Sequence, residues 1–552
     1  MRNRYRSSDS VIKAGDLILT EQPFAFVLSS KEQGTRCDNC LEKGKVLKCS
    51  GCQFVYYCGR GCQRDAWSDH KWECSNFKRV APKVLPDGAR MLAKLINRLS
   101  RADGATYKSY YSPTSFRMWK DLMSHYSDLK ADKKRMDHFT SLCVVLYEFL
   151  KDISLPNTVE LMGLYGRMVI NSFMILDVDM NSIGTGIYLG ASVVDHSCSP
   201  NAVATFHGKT ISIRALEDMP YLDWNQIRIS YIDLMKTPYQ RQKELLQNYY
   251  FLCQCHRCMD EQQLKYVHAA KCLNPKCECP VNIPWKDCEL VIRPERKNGA
   301  SSEGSKPIKA DSNSEQSNTN IESDGSKFES KHSEIKSDVS KFESTHSEIE
   351  SDVVEFKNGS TQMNVVARRD SIKELDDLLT SVNCEDIVEK DVCCKECGTK
   401  YTQQHIDVFV KTMEFTYSHL QNMERASVAY VDVCKYCLER HEGVLHPLNV
   451  LHAQTLDHAL DALIQTQLWE TACSYAELLV PCFRFYYGEK NPLLGLLHLK
   501  YGKILLYKMQ IAKALTQLKC AEKIIKLTHG DRHPLYQEQL VPLLQQAVME
   551  SS

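Results

Sequence analysis

The sequence has no long hydrophobic run and no excess of charge of either sign. Its longest nearly apolar run, residues 183–194, ends at Asp195 and is too short to span a bilayer. Lysine plus arginine and aspartate plus glutamate both number 69, so overall charge does not favour a nucleic-acid partner, and only a local patch would. The first ten residues also lack the apolar stretch of a secretory signal. We therefore expect the chain to lie in a reducing compartment.

Cysteine, by contrast, is abundant, with 25 among the 552 residues. Disulfides are rare in reducing compartments, so metal binding is the first explanation. Residues 37–74 have few aliphatic side chains but carry eight soft ligands: Cys37, Cys40, Cys49, Cys52, Cys58, Cys62, His70 and Cys74. Each close pair can hold two ligand atoms on one zinc ion, with Zn–S distances of about 2.3 Å, and two pairs complete a tetrahedron. The spacing predicts two structural zinc sites that the segment needs in order to fold.

A third cluster is incomplete by itself. Cys253, Cys255 and Cys258 follow one another closely and need a fourth ligand, for which Cys198 is the natural partner. We therefore expect a further four-sulfur site.

A fourth set of cysteines predicts a zinc ribbon that a long segment splits in two. Closing such a loop costs little, because each doubling of its length adds only about 0.6 kcal/mol. The two pairs are Cys272 with Cys277 and Cys394 with Cys397, and the competing ligands beside them are Cys279 and Cys393.

Hydrophobic periodicity divides the remaining chain into strand-like and helical parts. Strand-like runs at 16–20 and 24–28 precede the cysteine-rich segment, and residues 75–165 show helical periodicity. Strand-like runs return at 202–206, 210–213 and 227–231. This mixture predicts an α+β multidomain fold.

Residues 296–372 are rich in Ser, Lys, Glu, Asp and Asn and have almost no aromatic residues. A 14-residue unit at 326–339 is followed directly by a near copy at 340–353. Two copies could form a short coiled coil, but single apolar residues per heptad bury too little surface to offset chain entropy. We expect a disordered insert whose deletion leaves folding and activity nearly unchanged.

From residue 401 the pattern is helical to the end. YGEKNP at 487–492 recurs as HGDRHP at 529–534, and His446-Pro447 precedes both. Each marker stands before an amphipathic helix, which predicts stacked helical hairpins of the tetratricopeptide (TPR) kind; an irregular helical bundle is the alternative. Cys434 and Cys437 fall in this helical region without a second pair, so we expect buried thiols.

Several of these motifs resemble those of one family. DHSCSPN at 195–201 is similar to the N-H-S-C-x-P-N motif of SET domains, and CQCHRC at 253–258 resembles their post-SET zinc cluster. ISYID at 229–233 resembles the tyrosine strand between them, and the ligand spacing at 37–74 resembles that of the MYND zinc finger. The order of these parts is that of the SET-and-MYND (SMYD) family.

The resemblance implies a split, β-rich SET domain interrupted by a zinc finger and a helical insertion. The implied parts are an N-terminal SET part (1–36), the MYND finger (37–74), the SET insertion (75–165), the core SET domain (166–233), the post-SET cluster (234–258), two ribbon parts (259–295 and 373–400) around the insert, and an all-α TPR-like domain (401–552). Ligands would interleave, with Cys37, Cys40, Cys58 and Cys62 on one ion and Cys49, Cys52, His70 and Cys74 on the other. Three zinc ions are expected, and four if the ribbon forms.

The family's activity implies a protein-lysine N-methyltransferase that uses S-adenosylmethionine on histones or other proteins, in cytoplasm and nucleus. By motif, Tyr231, Tyr249 and Phe173 would line the lysine channel. The cofactor residues would be Asn171, Asp195, His196, Phe251 and, on a looser match, His125, for which an exposed helical histidine is the alternative. The repeats and the finger would hold a chaperone or co-repressor, and no membrane or direct DNA contact is expected.

Two departures, Asp195 and a missing glycine turn, favour an alternative, a catalytically weak scaffold or transcriptional co-regulator. Asp195 stands where the family has asparagine, and a carboxylate cannot donate to the cofactor's own carboxylate. Residues 3–6 contain no glycine where the family has a Gly-x-Gly turn, which predicts either a chain that begins late or impaired cofactor binding. Leu222-Asp223-Trp224-Asn225 replaces the usual Gly-Glu.

Overall fold

The computed structural model describes residues 4–5, 11–151, 154–285, 392–426 and 429–551. The described strands are β1 (Arg4–Tyr5), β2 (Leu17–Glu21), β3 (Ala25–Leu28), β4 (Leu47–Lys48), β5 (Tyr56–Tyr57), β6 (Ser109–Tyr110), β7 (Phe116–Arg117), β8 (Ser172–Leu176), β9 (Ser182–Ile187), β10 (Asp195–His196), β11 (Ala202–His207), β12 (Thr210–Ala215), β13 (Arg228–Ile229), β14 (Ala269–Lys271) and β15 (Pro280–Asn282). The described α-helices are α1 (Arg60–Val80), α2 (Asp87–Leu99), α3 (Tyr126–Ala131), α4 (Lys133–Phe149), α5 (Thr158–Asn171), α6 (Pro238–Tyr249), α7 (Glu261–Val267), α8 (Gln403–Ala426), α9 (Val431–His441), α10 (Val450–Gln465), α11 (Trp469–Tyr487), α12 (Pro492–Tyr507), α13 (Ile511–Thr528) and α14 (Val541–Ser551).

The β-rich part is built from small sheets, as the short strand-like runs predict. One sheet has the order β1-β2-β12-β11 and another the order β3-β9-β8, both antiparallel. Along β12 every second residue is buried, which is the two-residue period of a half-buried strand. Strand β10 pairs with β13 in parallel, and this pairing places Asp195 opposite Arg228. The described part of the chain is therefore an α+β structure.

The strand-like run at 227–231, which overlaps the predicted tyrosine strand at 229–233, forms a shorter strand than its sequence pattern. Only Arg228–Ile229 pairs with another strand, whereas the pattern covers 227–231. The chain leaves the ladder at Ser230, whose hydroxyl donates to the carbonyl oxygen of Ile232 over 2.8 Å. This local bond turns the backbone, so Tyr231 lies in a bend and not in a strand.

The carboxyl-terminal part is helical, and each helix from α8 to α14 packs on the next. Helix α12 begins at Pro492, with Asn491 accepting from the amide of Leu493 as its cap. Helices α12 and α13 approach closely because Gly502 has no side chain; a Cβ there would lie 2.7 Å from Leu518 Cδ2. A π-helix, Leu535–Leu540, leads into α14. The markers at 487–492 and 529–534 precede α12 and this π-helix, as predicted.

Two further expectations concern the insert and a membrane span. The predicted insert, 296–372, lies outside them. Among the helices that are described, none is long and apolar enough to cross a membrane.

Candidate functional site

Four clusters of ligand atoms form among the described residues. Within each cluster the atoms lie within 4.8 Å of one another. Measured sulfur–sulfur distances of 3.4–3.9 Å exceed the disulfide bond of about 2.05 Å and match the edge of about 3.8 Å of a tetrahedron with 2.3 Å Zn–S bonds. The clusters are Cys37, Cys40, Cys58 and Cys62; Cys49, Cys52, His70 and Cys74; Cys198, Cys253, Cys255 and Cys258; and Cys272, Cys277, Cys394 and Cys397.

The remaining candidate cysteines lie outside these clusters. Cys279 Sγ is 3.6 Å from the carbonyl oxygen of Pro280, and Cys393 is exposed. Cys434 and Cys437 are fully buried on α9, where burial raises the pKa of both thiols to about 11. These two thiols are thus the buried side chains that the sequence predicts.

A chain of buried charges supports the cluster that contains His70. His70 Nδ1 lies 3.3 Å from Glu73 Oε2, and Arg90 Nε donates to Glu73 Oε1 over 2.9 Å. Arg90 Nη1 also donates to Asp38 Oδ1 over 2.9 Å. Burial raises the pKa of Glu73, but the charges of Arg90 and Lys94, together with the hydrogen bonds from His70 and Arg90, outweigh it and hold that pKa well below its usual range. The carboxylate orients the imidazole so that Nε2 faces the sulfurs.

The third cluster has two neighbouring arginines that sequence reasoning missed, the buried Arg241 and the half-buried Arg257. Arg241 Nη2 lies 3.8 Å from Cys258 Sγ, and Arg257 Nη1 donates to the carbonyl oxygen of Cys198 over 2.9 Å. Four thiolates on one divalent zinc carry two net negative charges, which two guanidinium groups balance. Nothing in the sequence around Arg241 and Arg257 indicates that they lie beside this cluster.

A cavity of about 170 Å³ lies beside this cluster, between the end of α5, strand β8 and the end of α6. Among the residues that line it are Asn171, Phe173, Met174, Ser192, Tyr231 and Tyr249. The cavity therefore brings together all three predicted channel residues and one predicted cofactor residue.

Aromatic rings form one wall of the cavity. The ring centroids of Tyr231 and Tyr249 are 5.1 Å apart, and that of His196 is 5.3 Å from Tyr231 and 6.0 Å from Phe251. Phe173 stands edge-on to Tyr188 at 5.7 Å. Such rings exclude water from a bound side chain and can stabilise a cation through their faces.

The hydroxyl of Tyr231 has a fixed direction. It donates to the carbonyl oxygen of Val194 over 2.5 Å, so its lone pairs remain to accept a hydrogen bond. Burial raises the pKa of Tyr231, and the neighbouring charge of Asp195 raises it further. The phenol is therefore neutral at ordinary pH.

His196 joins the tyrosine segment to the third cluster. Its Nδ1 accepts from the backbone amide of Tyr231 over 3.0 Å, and its Nε2 lies 3.3 Å from Cys198 Sγ. Both ring nitrogens thus face protein atoms, which leaves the backbone of His196 as its means of contacting a ligand.

Asn171, at the end of α5, is oriented by two hydrogen bonds. Its Nδ2 donates to the carbonyl oxygens of Met123 and Arg167, both over 2.8 Å. The amide oxygen is left as an acceptor beside the cavity.

His125 does not have the structure expected of an exposed helical histidine, so that alternative is wrong. Its φ is 48°, in the left-handed region, and it precedes α3 instead of lying within it. Its side chain is 14% exposed and its Nδ1 lies 2.9 Å from Asp128 Oδ2. The ring packs on Tyr250, with centroids 5.5 Å apart.

Comparison with known proteins agrees with this geometry. The model of the MYND finger family matches residues 37–74. Histone-lysine N-methyltransferase SMYD3 of Mus musculus is 23% identical over 541 residues, which are 97% of this chain and 93% of that protein. Histone-lysine N-methyltransferase ASHR1 of Arabidopsis thaliana is 21% identical over 551 residues, 98% of this chain and 92% of that protein. SMYD3 of Homo sapiens is 30% identical over 258 residues, 46% of this chain and 58% of that protein.

Residues 37–74 thus match the MYND finger family, and nearly the whole chain is similar to the SMYD3 and ASHR1 proteins. The motif residues fall into two groups around the cavity. Asn171, Phe173, Tyr231 and Tyr249 line it. His196 and Phe251 contact its aromatic wall, while Asp195 is exposed on β10.

One element that sequence reasoning missed is a buried carboxylate behind the motif. Glu21 is 3% exposed and accepts from the amides of Gly190 and Ala191 over 3.0 and 2.7 Å, and from the hydroxyl of Ser109. Burial raises its pKa. Glu21 thereby fixes the turn that leads to Ser192 in the cavity wall. Its position at the end of β2 does not predict that it is buried.

Proposed function

We propose that this protein is a SMYD-type protein-lysine N-methyltransferase that transfers a methyl group from S-adenosylmethionine to lysines of histones or other proteins. The observation that carries the proposal is the shared cavity. One predicted cofactor residue, Asn171, and three predicted channel residues, Phe173, Tyr231 and Tyr249, line it together.

The residues present fit the cofactor. S-adenosylmethionine supplies a methyl group on a positively charged sulfur. The fixed amide oxygen of Asn171 is an acceptor suited to the ammonium of the methionyl end. His196 would hold the adenosine end through its backbone, with Phe251 and His125 as neighbouring contacts and Asp195 as a further acceptor.

The channel residues would prepare the lysine. Tyr231, Tyr249 and Phe173 surround it with rings, and desolvation lowers the pKa of an amine and favours its uncharged, nucleophilic form. Tyr231 would accept from the amine because its own proton is committed to Val194. Holding the amine in line with the methyl group then supplies much of the rate.

Zinc would hold the parts in place. We assign one ion to each of the four ligand clusters, including the ribbon cluster of Cys272, Cys277, Cys394 and Cys397. Cysteine thiolates in this number need a reducing environment, which supports cytoplasm and nucleus as the compartments. A chaperone or co-repressor held by the MYND finger or the helical repeats is the partner that we propose beyond the substrate.

A scaffold without strong activity is the second candidate, and Asp195 is the observation that favours it. Its carboxylate adds negative charge where the cofactor's own carboxylate would bind.

The test compares wild type with Tyr231→Phe, using isothermal titration with S-adenosylmethionine and methyl transfer to a histone mixture. We expect turnover to fall by roughly tenfold or more, the effect of one hydrogen bond to a charged group, and cofactor affinity to stay within about twofold, because the phenyl ring remains. Tyr57→Phe, which alters a buried tyrosine of the finger, is the control. A wild-type chain that binds no cofactor at millimolar concentration would leave the scaffold as the function.

A further inference from the structure

The two recurring markers of the helical region, residues 487–492 and 529–534, contact the β-rich part of the chain. The first begins at Tyr487, the last residue of α11, and the second contains His533, shortly before the π-helix. Both side chains are buried, with 8% and 9% of their surface exposed. Each makes a hydrogen bond outside the helical region. Packing between neighbouring helices requires neither bond, so both need another explanation.

The segment that carries Tyr231 has little support from the sheets. Within the described chain no strand pairs with residues 230–236. On the side of the β-rich part, His196 Nδ1 accepts from the amide of Tyr231 over 3.0 Å. The rest of the segment depends on contacts made by other elements.

The carboxyl-terminal helices hold this segment at two points. The hydroxyl of Tyr487 donates to Asp233 Oδ1 over 2.7 Å, and Gln454 Nε2, on α10, donates to the carbonyl oxygen of Met235 over 2.8 Å. Asp233 Oδ1 also accepts from the amide of Met235 over 3.1 Å, so this carboxylate joins the turn to the end of α11. A hydroxyl that donates to a carboxylate makes a charge-assisted hydrogen bond, which is the stronger kind.

The second marker contacts another wall of the cavity that Tyr231 lines. Phe206, on β11, lines this cavity, and its carbonyl oxygen accepts from His533 Nε2 over 2.9 Å. His533 Nδ1 accepts from the amide of Leu535 over 3.2 Å, which fixes the ring proton on Nε2. Gly530 packs so closely on β12 that a Cβ there would lie 2.4 Å from Arg214 Nη2. The marker therefore packs directly against the paired strands β11 and β12.

His446, in the earlier His-Pro pair, offers a matched contrast. Its Nδ1 accepts from the amide of Leu448 over 3.0 Å, and its Nε2 donates to the carbonyl oxygen of Glu278 over 3.2 Å. Glu278 follows the ribbon ligand Cys277 in the sequence. The same pair of bonds thus docks the helices on the ribbon at His446 and on the cavity wall at His533.

We propose that Tyr487 and His533 are positioning residues for methyl transfer. Tyr487 holds the segment of Tyr231 through Asp233, and His533 holds the β11 wall through the backbone of Phe206. The carboxyl-terminal helices thereby form part of the structure that aligns the target amine. This inference rests on the proposed function. Alignment matters because a displacement of about 1 Å can lower turnover by roughly a hundredfold.

Tyr487→Phe removes the hydroxyl and keeps the ring. We expect turnover on a histone mixture to fall by roughly fivefold or more, the effect of one hydrogen bond, while affinity for S-adenosylmethionine in isothermal titration stays within about twofold. Tyr486→Phe is the matched control, because it removes a neighbouring buried hydroxyl that donates to the carbonyl oxygen of Leu448 over 2.6 Å. It should keep turnover within about twofold of wild type, and thermal melts compare the stability of the two variants.

Two substitutions of His533 test the second contact. In His533→Gln the longer amide reaches the position of Nε2 and still donates to Phe206, whereas in His533→Asn the shorter amide does not. We expect His533→Asn to lower turnover by roughly fivefold and His533→Gln to recover most of that loss. His446→Asn removes the equivalent bond to the ribbon and should leave turnover within about twofold of wild type.

Hydrogen exchange at residues 230–236 tests the first contact without turnover. We expect Tyr487→Phe to speed exchange there by roughly fivefold or more and Tyr486→Phe to leave it unchanged. Unchanged exchange in Tyr487→Phe would overturn the positioning role whether or not the protein is active.

The kinetic outcomes separate this inference from the proposed function. In an active protein, equal turnover of Tyr487→Phe and Tyr486→Phe would overturn the inference and leave the enzyme. A loss in Tyr487→Phe that arises from weaker cofactor binding would also overturn it, as would equal losses in His533→Asn and His446→Asn. A wild-type chain that binds no cofactor would overturn the proposed function and, with it, the catalytic purpose of both contacts.

Discussion

The segment 37–74 and the helices α10 to α13 differ in the kind of side chain that fills their interiors. In the first, many of the buried side chains are ligands, such as Cys37, Cys49, Cys52 and His70. In the second, buried leucine, isoleucine and alanine fill the spaces between helices, and no ligand cluster forms among the described residues there. Removing metal should destabilise the first region, whereas truncating apolar core side chains should destabilise the second. Experiments can therefore distinguish how the two regions are stabilised.

Removing the metal should produce the largest effect and should act on the first region. A structural zinc ion contributes about 10–16 kcal/mol in small zinc domains, so chelation should unfold residues 37–74 while α10 to α13 keep their amide protection. Hydrogen exchange measures both regions in one sample. Elemental analysis should find four zinc ions per chain before chelation.

The matched control is Cys437→Ala, which removes a buried thiol outside the clusters and should leave the zinc content unchanged. Three or fewer zinc ions in folded protein would contradict the four-cluster assignment.

Truncating the apolar core should act on the second region. Leu505, on α12, has no exposed surface. Leu505→Ala should lower the free energy of unfolding of the helical region by about 2–5 kcal/mol through lost burial and the cavity that remains, without changing the zinc content. Leu468→Ala, at a residue that is 50% exposed, should cost less than about 0.5 kcal/mol. Equal effects of the two substitutions in urea unfolding would contradict the packing described here.

Asp457 lies where the two parts of the chain meet, opposite Asp233, and should give a pH-dependent effect. Its pKa is raised from 3.8 to about 7, so the folded state binds the proton more tightly than the unfolded state. The stability that protonation contributes is present below about pH 4 and is lost as pH rises to about 7.

Asp457→Asn should therefore stabilise the protein above pH 7, by at most about 4 kcal/mol and by less where cavity water screens the charge. Thermal melts at pH 8 and pH 5 should show a larger gain at pH 8. An equal gain at both pH values would mean that the charge of Asp457 is not its cause. The other charged groups that act on this carboxylate are Asp461, Lys500 and Asp233.

The smallest expected effect belongs to Asp195, far from the helical core. Asp195→Asn removes a negative charge that would lie near the cofactor's own carboxylate and should tighten S-adenosylmethionine by less than about 1 kcal/mol, because Asp195 is exposed and solvent screens its charge. His196→Ala should weaken binding instead, because Tyr231 loses the ring that accepts its amide. Isothermal titration decides both, and Asp218→Asn, at an exposed carboxylate paired with Lys13, is the control. Looser binding by Asp195→Asn would show that the carboxylate suits this cofactor site.

Ligand spacing predicted the most of any sequence signal. A zinc tetrahedron restricts both residue type and separation, so Cys198 could be paired with Cys258 across 60 residues, and the split ribbon could be paired in the same way. Helical periodicity also predicted α2, α4 and the carboxyl-terminal helices. Both signals are repeated patterns that leave few alternatives.

Isolated polar residues were not predictable in this way. Glu21 and Arg90 are buried among partners from distant segments, and Asp457 is half-buried beside a cavity that distant segments form. Nothing in the sequence around these three residues distinguishes them from exposed charges. His125 likewise takes a left-handed conformation that its sequence neighbours do not indicate. The backbone turn at Ser230 shortened the predicted strand for the same reason, since a single side-chain hydrogen bond decided it.

The buried charges around Arg90 determine how the MYND finger can be excised. Asp38 and Glu73 belong to the ligand-bearing segment, but the guanidinium that neutralises them comes from α2. Helix α1 also continues past Cys74 to Val80, and Phe77 stacks on Phe54 at 4.0 Å. A fragment cut after the last ligand would leave two carboxylates without their counter-ion and a phenylalanine without its ring partner. A fragment that keeps these partners must therefore extend through Leu99, so the segment needed for folding is longer than the segment that carries the zinc ligands.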